Sequence, residues 1–228
     1  MRTYVIPVNK ETKTNHTENR NKNIINTVKN IFSSKISLPI VILYVSASLC
    51  FQISIQFWQP MIVGENLSKI SGGFYGIAFV LILLSQSLAS YIAQQMKAKI
   101  STSLFISIIM MISFVMTFIL YKELSKYFLL LFICINFLLM KLITIHSLSV
   151  FLQKQSDNQW ATSESFVSSM TRAILLFVLP SLGGIGHRIG IEFIFLSLSI
   201  ISGIYVIIVS VLIWSSLKKN NTLYEKDV

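Results

Sequence analysis

Charged and hydroxyl side chains interrupt an otherwise apolar stretch of this chain at regular intervals. Glu164, Ser168 and Arg172 follow one another four residues apart, just before the run Ile-Leu-Leu-Phe-Val-Leu. On a helix, residues spaced by four share one face. A carboxylate, a hydroxyl and a guanidinium on one face can bind a polar or charged group through hydrogen bonds. Such a stripe must be covered by protein or reached by water.

A second polar stripe and a single lysine occur in two other apolar stretches. Three glutamines stand at i, i+4 and i+7, and Lys141 lies too centrally in its stretch to reach a membrane surface easily. Ionisable groups at such positions cost a few kcal/mol in a bilayer, which favours a functional role in a bundle interior or a wet cavity. We therefore predict one substrate path. Its predicted lining comprises Gln52, Gln56, Gln59, Lys141, Glu164, Ser168 and Arg172.

Structural interpretations of the same residues stay open. Arg172 can be satisfied by hydroxyls and backbone carbonyls of a neighbouring helix, and would then join helices together. Glu164 falls in the first turn of its helix, where a carboxylate interacts favourably with the helix dipole and can remain hydrated. Either residue would then lie outside a substrate path.

Patterns for catalysis and for metal binding are missing from the sequence. It contains no HExxH, GxSxG or GxxxxGK[ST] motif. Cys50 and Cys134 lie inside apolar runs, where they are expected to be small buried residues. His146 and His187 are isolated, and an isolated histidine near a helix end is usually a hydrogen-bonded structural group. We therefore predict that the chain is not an enzyme and holds no metal or other cofactor.

The composition indicates which elements carry these residues. Of the 228 residues, 54% are hydrophobic and only 12% are charged, with a mean hydropathy of +0.70, which is typical of membrane proteins. Six apolar segments reach the length of about 20 residues that a helix needs to cross the hydrocarbon core. The predicted spans are 38–59, 72–94, 101–121, 127–152, 162–185 and 192–215. We predict an all-α membrane protein with six transmembrane helices in an antiparallel bundle.

Individual residues predict further details of the helical bundle. Pro60 is expected to end the first helix, and Trp58 is expected at the outer membrane interface, where Trp is enriched. Ser85, Ala89 and Ala93 repeat small residues every four positions, which allows another helix to approach closely.

The basic residues define an orientation. The net charge is +10, but the basic residues lie between apolar runs and not on a soluble face with stacking aromatics, so we expect no nucleic acid partner. Basic residues in 1–35, 97–99, 154 and 218–226 fall on one side of the predicted membrane, and Lys69, Lys122, Lys126 and Arg188 fall on the other. The richer side is normally cytoplasmic. We therefore predict a multi-pass protein of the cell membrane with both termini cytoplasmic.

The predicted domain organisation follows from these spans. Residues 1–35 form a basic, cytoplasmic, linker-like segment that is partly disordered. Within it, 23–35 has helical apolar spacing, which fits either an amphipathic helix on the cytoplasmic leaflet or the start of the first span. Residues 36–217 form the transmembrane domain, and 218–228 form a cytoplasmic tail.

The fifth span also carries a recognisable order of residues. They are Ala161 and Thr162, Ser165, Arg172, Pro180, Gly183 or Gly184, and the run from His187 to Gly190. In this order they resemble the penultimate span of major facilitator superfamily transporters. Lys141 and Lys154 look like the basic residues that this family places in the preceding helix and at its cytoplasmic end.

Two further stretches extend the resemblance, and a few positions depart from it. Residues 57–60 are similar to the end of the seventh helix of drug-efflux-like members, and residues 91–99 to the basic loop between the eighth and ninth helices. The departures are Trp160 in place of Arg, His187 in place of an acidic residue, and Leu142 and His146 in place of Gly and Pro.

The resemblance implies the C-terminal six-helix half of a major facilitator fold, built from two inverted three-helix repeats. It implies transport of a small molecule, efflux-like, with the substrate near the midplane against Gln52, Gln56, Lys141 and Arg172. The partners would be the lipid bilayer and either a separate N-terminal half or a second copy of the chain. The cations would favour an anionic or polar group, and Glu164 is the one candidate for proton coupling.

A different class of function stays open beside transport. A truncated or split facilitator fragment would insert and fold but move nothing. A regulatory membrane partner of another protein would have the same sequence features.

Overall fold

Six helices make up the described part of the chain. The computed structural model describes residues 37–63, 72–121, 125–153 and 160–224. The helices are α1 Ser37–Val63, α2 Gly72–Gln95, α3 Ile100–Leu120, α4 Lys126–Leu152, α5 Trp160–Arg188 and α6 Glu192–Tyr224. Each is long and apolar enough to cross a membrane. This confirms an all-helical, multi-pass membrane protein at the level of helix number and length.

Some predictions fall on other parts of the chain. The linker-like segment 1–35, its helix at 23–35 and Lys154 lie outside the described residues. The tail predicted at 218–228 is described as far as Tyr224, and there it continues α6.

The prediction that Pro60 ends the first helix is wrong, because α1 continues to Val63. Proline removes a single donor, the N–H that would bond the carbonyl four residues earlier. Near a helix end this loss affects few bonds, and membrane helices tolerate it. Pro180 likewise lies inside α5.

The bundle is organised around α1 and α4, which pack against each other. In addition, α4 contacts α2 and α3, whereas α1 contacts α6 and, less extensively, α5. A further close pair is formed by α3 and α6. Consequently α5 has the loosest attachment, held by α1 and α6 alone among its closer neighbours.

Small residues mediate the packing of α2 on the bundle. Ala89 and Ala93 are buried and Ser85 is half-buried, as their spacing predicted, and Ala78 continues the same face. The main contact of α2 is with α4. Close approach through small side chains therefore holds this outer helix.

Trp58 packs against α2 close to the end of its own span, which is Ser37–Pro60. Its ring stacks at 6.3 Å from that of Phe79 and meets Tyr75 edge-on at 6.5 Å. Both partners belong to α2, and Trp58 is buried. Its position at the outer membrane interface stays a prediction.

Buried hydrogen bonds fix α3 against α4. Ser113 donates to the amide oxygen of Asn136 at 2.6 Å, and the amide nitrogen of Asn136 donates to Thr117 at 3.0 Å. Such bonds depend strongly on register, since a shifted helix would leave buried polar groups unpaired. The position of α4, which carries Lys141, is set in part by this cluster.

His146 ties the same helix to the connection between α2 and α3. Its Nε2 lies 3.0 Å from the backbone oxygen of Lys97, and its Nδ1 lies 2.7 Å from the hydroxyl of Ser103. Because a carbonyl oxygen only accepts, Nε2 must carry a proton and donate. The side chain is 1% exposed and has a partner on both nitrogens. This is the hydrogen-bonded structural role expected for an isolated histidine.

Candidate functional site

A polar cavity of about 210 Å³ lies between α1, α4 and α5. Its lining residues are Tyr44, Ser48, Phe51, Gln52, Lys141, Thr144, Ser168, Thr171, Arg172 and Leu175. These residues come from near the middle of the three spans, which are Ser37–Pro60, Tyr127–Leu152 and Trp160–Arg188. The cavity is therefore deep with respect to both ends of the bundle.

The cavity brings together four of the residues singled out in the sequence. Gln52 comes from α1, Lys141 from α4, and Ser168 and Arg172 from α5. The residues on different helices are distant from one another in the sequence. They become neighbours because α4 and α5 both pack against α1. Their part in a substrate path stays a prediction.

The other three predicted residues do not line this cavity. Gln56 and Gln59 are exposed on the face of α1 that carries Gln52, and Gln59 lies about 10 Å further along the helix at 1.5 Å per residue. Glu164 is exposed on α5, about two turns before Arg172. Gln56 and Gln59 therefore lie on the same face of α1 as Gln52 but too far along the helix axis to line the cavity.

Helix α5 supplies one wall through residues at i, i+3, i+4 and i+7, which are Ser168, Thr171, Arg172 and Leu175. The hydroxyl of Thr171 donates to the backbone oxygen of Val167 at 3.1 Å. On the opposite wall, Thr144 donates to the backbone oxygen of Met140 at 2.8 Å. These two hydroxyl protons are thus engaged within their own helices.

Lys141 contacts an aromatic ring of the neighbouring helix. Its Nζ lies 5.7 Å from the centroid of the Phe51 ring, within range of a cation–π interaction. Within the described part of the chain, neither Lys141 nor Arg172 forms an ion pair with a carboxylate. The cavity therefore carries two positive charges, and no acidic side chain is among its lining residues.

Ser48 contributes an unpartnered hydroxyl. Its Oγ is buried and has no hydrogen-bond partner among the described residues. A buried polar atom without a partner is costly, by about 1–3 kcal/mol. The hydroxyl oxygen of Ser48 thus lies behind the cavity wall and is not itself exposed to the cavity.

The neutral lining residues Tyr44, Ser48 and Thr144 were not identified from the sequence, although their spacing indicates them. Tyr44, Ser48 and Gln52 are spaced by four, so the glutamine stripe extends backwards along the same face of α1. Thr144 stands three residues after Lys141, again on one face. Extending each polar stripe by one or two turns would have identified these positions.

Comparisons with known proteins give no further information on the site. No protein-family model, no curated protein and no solved structure matched the chain. Across the described residues, no group of three or more His, Cys, Asp or Glu side chains is placed to hold a metal ion.

Proposed function

We propose that the chain is half of a secondary transporter that moves a small molecule across the cell membrane by alternating access. The observation that carries this proposal is the cavity near the middle of the spans, where Gln52, Lys141 and Arg172 from three helices meet. Ionisable residues inside spans typically mark substrate pathways. In secondary transporters the binding site lies near the bilayer midplane.

The order of helix packing supports the resemblance to the major facilitator superfamily. Suppose that α1 is exchanged with α4, α2 with α5, and α3 with α6. The contact between α2 and α4 then corresponds to the contact between α5 and α1. The same exchange turns the contact of α3 with α4 into that of α6 with α1, and leaves the pairs α1 with α4 and α3 with α6 unchanged. In a chain that crosses the membrane at each helix, α1 and α4 run in opposite directions. Two inverted three-helix repeats would have this exchange for the larger contacts, whereas the smaller contacts of α5 with α6 and of α1 with α3 have no counterpart of similar extent.

The cavity is incomplete, which supports a second half. About 210 Å³ is smaller than the roughly 300–1,000 Å³ of usual small-molecule sites, and Gln52 and Arg172 are exposed on the outside of the bundle. We call the exposed set Gln52, Gln56, Gln59, Glu164 and Arg172 the polar face. Contact of this face with acyl chains would cost several kcal/mol. A separate N-terminal half or a second copy of the chain covers it in this proposal.

The distribution of basic residues supports an orientation for the transporter. The connection between α2 and α3 carries Lys97 and Lys99, on the same side as the basic segments 1–35 and 218–226. Basic loops are retained in the cytoplasm. Both termini are therefore placed in the cytoplasm of this proposed half-transporter.

The test compares three variants in cells that make the full chain. Arg172→Leu is expected to change the cellular level of at least one small molecule, because it removes a charge from the cavity. Arg172→Lys keeps the charge and should preserve more of the transport. Leu176→Ala is the control, since Leu176 is 75% exposed on the same helix and does not line the cavity. The measurement is an untargeted comparison of intracellular and extracellular small molecules.

Protein abundance in the membrane separates the proposal from its alternatives. Transport predicts that Arg172→Leu accumulates like the unmodified chain while a solute gradient is lost. If abundance falls in step with every other effect, Arg172 joins helices together and has no place in a path. If no solute level differs between the unmodified chain and Arg172→Leu, a non-transporting fragment or a regulatory partner explains the chain better.

A further inference from the structure

The charges around the cavity narrow the chemical class of its ligand. Lys141 and Arg172 both line it, and the two carboxylate side chains within the described ranges, Glu164 and Glu192, do not. Charged groups that are removed from water require compensation by a partner of opposite charge. A cationic ligand would add a third positive charge, and a neutral ligand would compensate neither cation.

The hydrogen-bonding groups of the cavity favour oxygen acceptors. Arginine presents a planar fork of donors that matches the geometry of a carboxylate or a phosphate, and lysine adds three donors. Gln52 contributes an amide that donates and accepts. Several donors therefore converge on one small volume.

The remaining walls are apolar. The rings of Tyr44 and Phe51 and the side chain of Leu175 line the cavity beside the cations. We infer that this cavity binds an oxyanion, either a carboxylate or a phosphate, attached to an apolar body. This inference rests on the proposed transport function and names its substrate class.

Two sources can supply an oxyanion at this site. A soluble organic anion would enter through water, whereas a lipid would supply the phosphate of its headgroup. Headgroups begin about 15 Å from the centre of a hydrocarbon core about 30 Å thick, and the cavity lies near the middle of its spans. This depth favours the soluble anion, and the experiment distinguishes the two.

The experiment measures protection of a thiol in the cavity. Ser168→Cys is introduced into the full chain after Cys50 and Cys134 are replaced by alanine, and membranes are treated with a water-soluble thiol reagent. Benzoate, which has a carboxylate on a small ring, is expected to slow the labelling several-fold. Benzamide has nearly the same size but no charge and should not slow it at the same concentration. Inorganic phosphate should protect as well, because it offers the same oxygen acceptors.

Variants of the two cations test where the anion binds. Lys141→Met and Arg172→Leu should each weaken the apparent affinity for benzoate by about tenfold, the usual effect of losing one charge-assisted hydrogen bond. Lys141→Arg and Arg172→Lys keep the charge and should retain protection. Retained protection in these two variants shows that substitution at either position does not by itself disrupt the cavity.

Each of the remaining outcomes either supports or overturns the oxyanion inference. Equal protection by benzoate and benzamide overturns the oxyanion inference and leaves the transport proposal standing. Protection without any added anion, seen in vesicles with phosphatidylglycerol but not with neutral lipid alone, supports the oxyanion chemistry and assigns it to a headgroup. No labelling of Ser168→Cys overturns both, because a dry cavity serves neither transport nor a soluble anion.

Discussion

At the scale of single residues, Lys141 contacts an aromatic ring and, among the described residues, no carboxylate. The ring of Phe51 stabilises the ammonium through its negative face, by roughly 0.5–2 kcal/mol depending on desolvation. This is less than an anion in hydrogen-bonding contact would provide. The lysine is thereby positioned in the cavity without losing its ability to bind a ligand.

His146 gives a prediction about stability. His146→Leu would leave the buried hydroxyl of Ser103 without its partner, at about 1–3 kcal/mol, and would also remove the hydrogen bond to the backbone oxygen of the exposed residue Lys97. We expect a lower midpoint of thermal unfolding for the purified chain, by several degrees. His187→Leu is the matched control, because His187 is exposed near the end of α5. Equal shifts for both variants would show that the hydrogen bonds of His146 contribute nothing specific.

The residues of the site could be predicted with a clear signal only where a polar group in the membrane has a high free-energy cost. Lys141 and Arg172 stand out because a charge inside an apolar run needs a reason. Tyr44 and Thr144 carry only the weaker signal of their spacing from Gln52 and Lys141, since aromatic and hydroxyl side chains are common in membrane helices. That the stripes of three helices meet in one cavity depends on how the helices pack, which no single stretch of sequence encodes.

At the scale of helices, the turn between α5 and α6 depends on one glycine. Gly190 has φ of 128°, and a Cβ there would lie 2.7 Å from a carboxylate oxygen of Glu192. Residues with a side chain rarely adopt this conformation. The turn directs α6 back along the bundle, where it packs against α3 and α1.

Gly190→Ala is therefore expected to destabilise the protein by about 1–3 kcal/mol, the usual cost of a strained backbone. Gly184→Ala is the matched control, since Gly184 is helical and a Cβ there meets nothing within 4 Å. It should be neutral or stabilising, by up to about 1 kcal/mol, because alanine favours the helix. Thermal unfolding of both variants in detergent measures the difference. A lower midpoint for Gly184→Ala than for Gly190→Ala would contradict this account of the turn.

Helix number and approximate bounds were predictable, because hydropathy over about 20 residues reports directly on membrane spans. The burial of Trp58 and the passage of α1 through Pro60 were not. Trp58 is buried because its ring packs against Tyr75 and Phe79 of α2, and this contact is a property of the packed pair. No single stretch of sequence encodes such a contact.

At the scale of the whole molecule, the six described helices leave a polar face exposed. Gln56, Gln59 and Arg172 are exposed at positions within or near the spans, beside the exposed apolar side chains expected of lipid contact. A bilayer would penalise this face, whereas a second bundle would turn it into the other wall of the cavity. The sequence predicts that such a partner exists but does not determine whether it is a second copy or a separate half, since pairing depends on the surface of both.

The wet cavity is the claim on which transport and anion binding both depend, and thiol accessibility tests it most directly. Ser168→Cys and Phe177→Cys both lie inside the span of α5, about two and a half turns apart and therefore on opposite faces of the helix. Ser168 lines the cavity, whereas Phe177 is 77% exposed and does not. In membranes of cells that make the full chain, with Cys50 and Cys134 replaced by alanine, a water-soluble charged thiol reagent should label Ser168→Cys rapidly. It should leave Phe177→Cys unlabelled, because that thiol faces acyl chains in this account. Labelling of Phe177→Cys alone, or of neither thiol, would contradict a water-filled path through this protein.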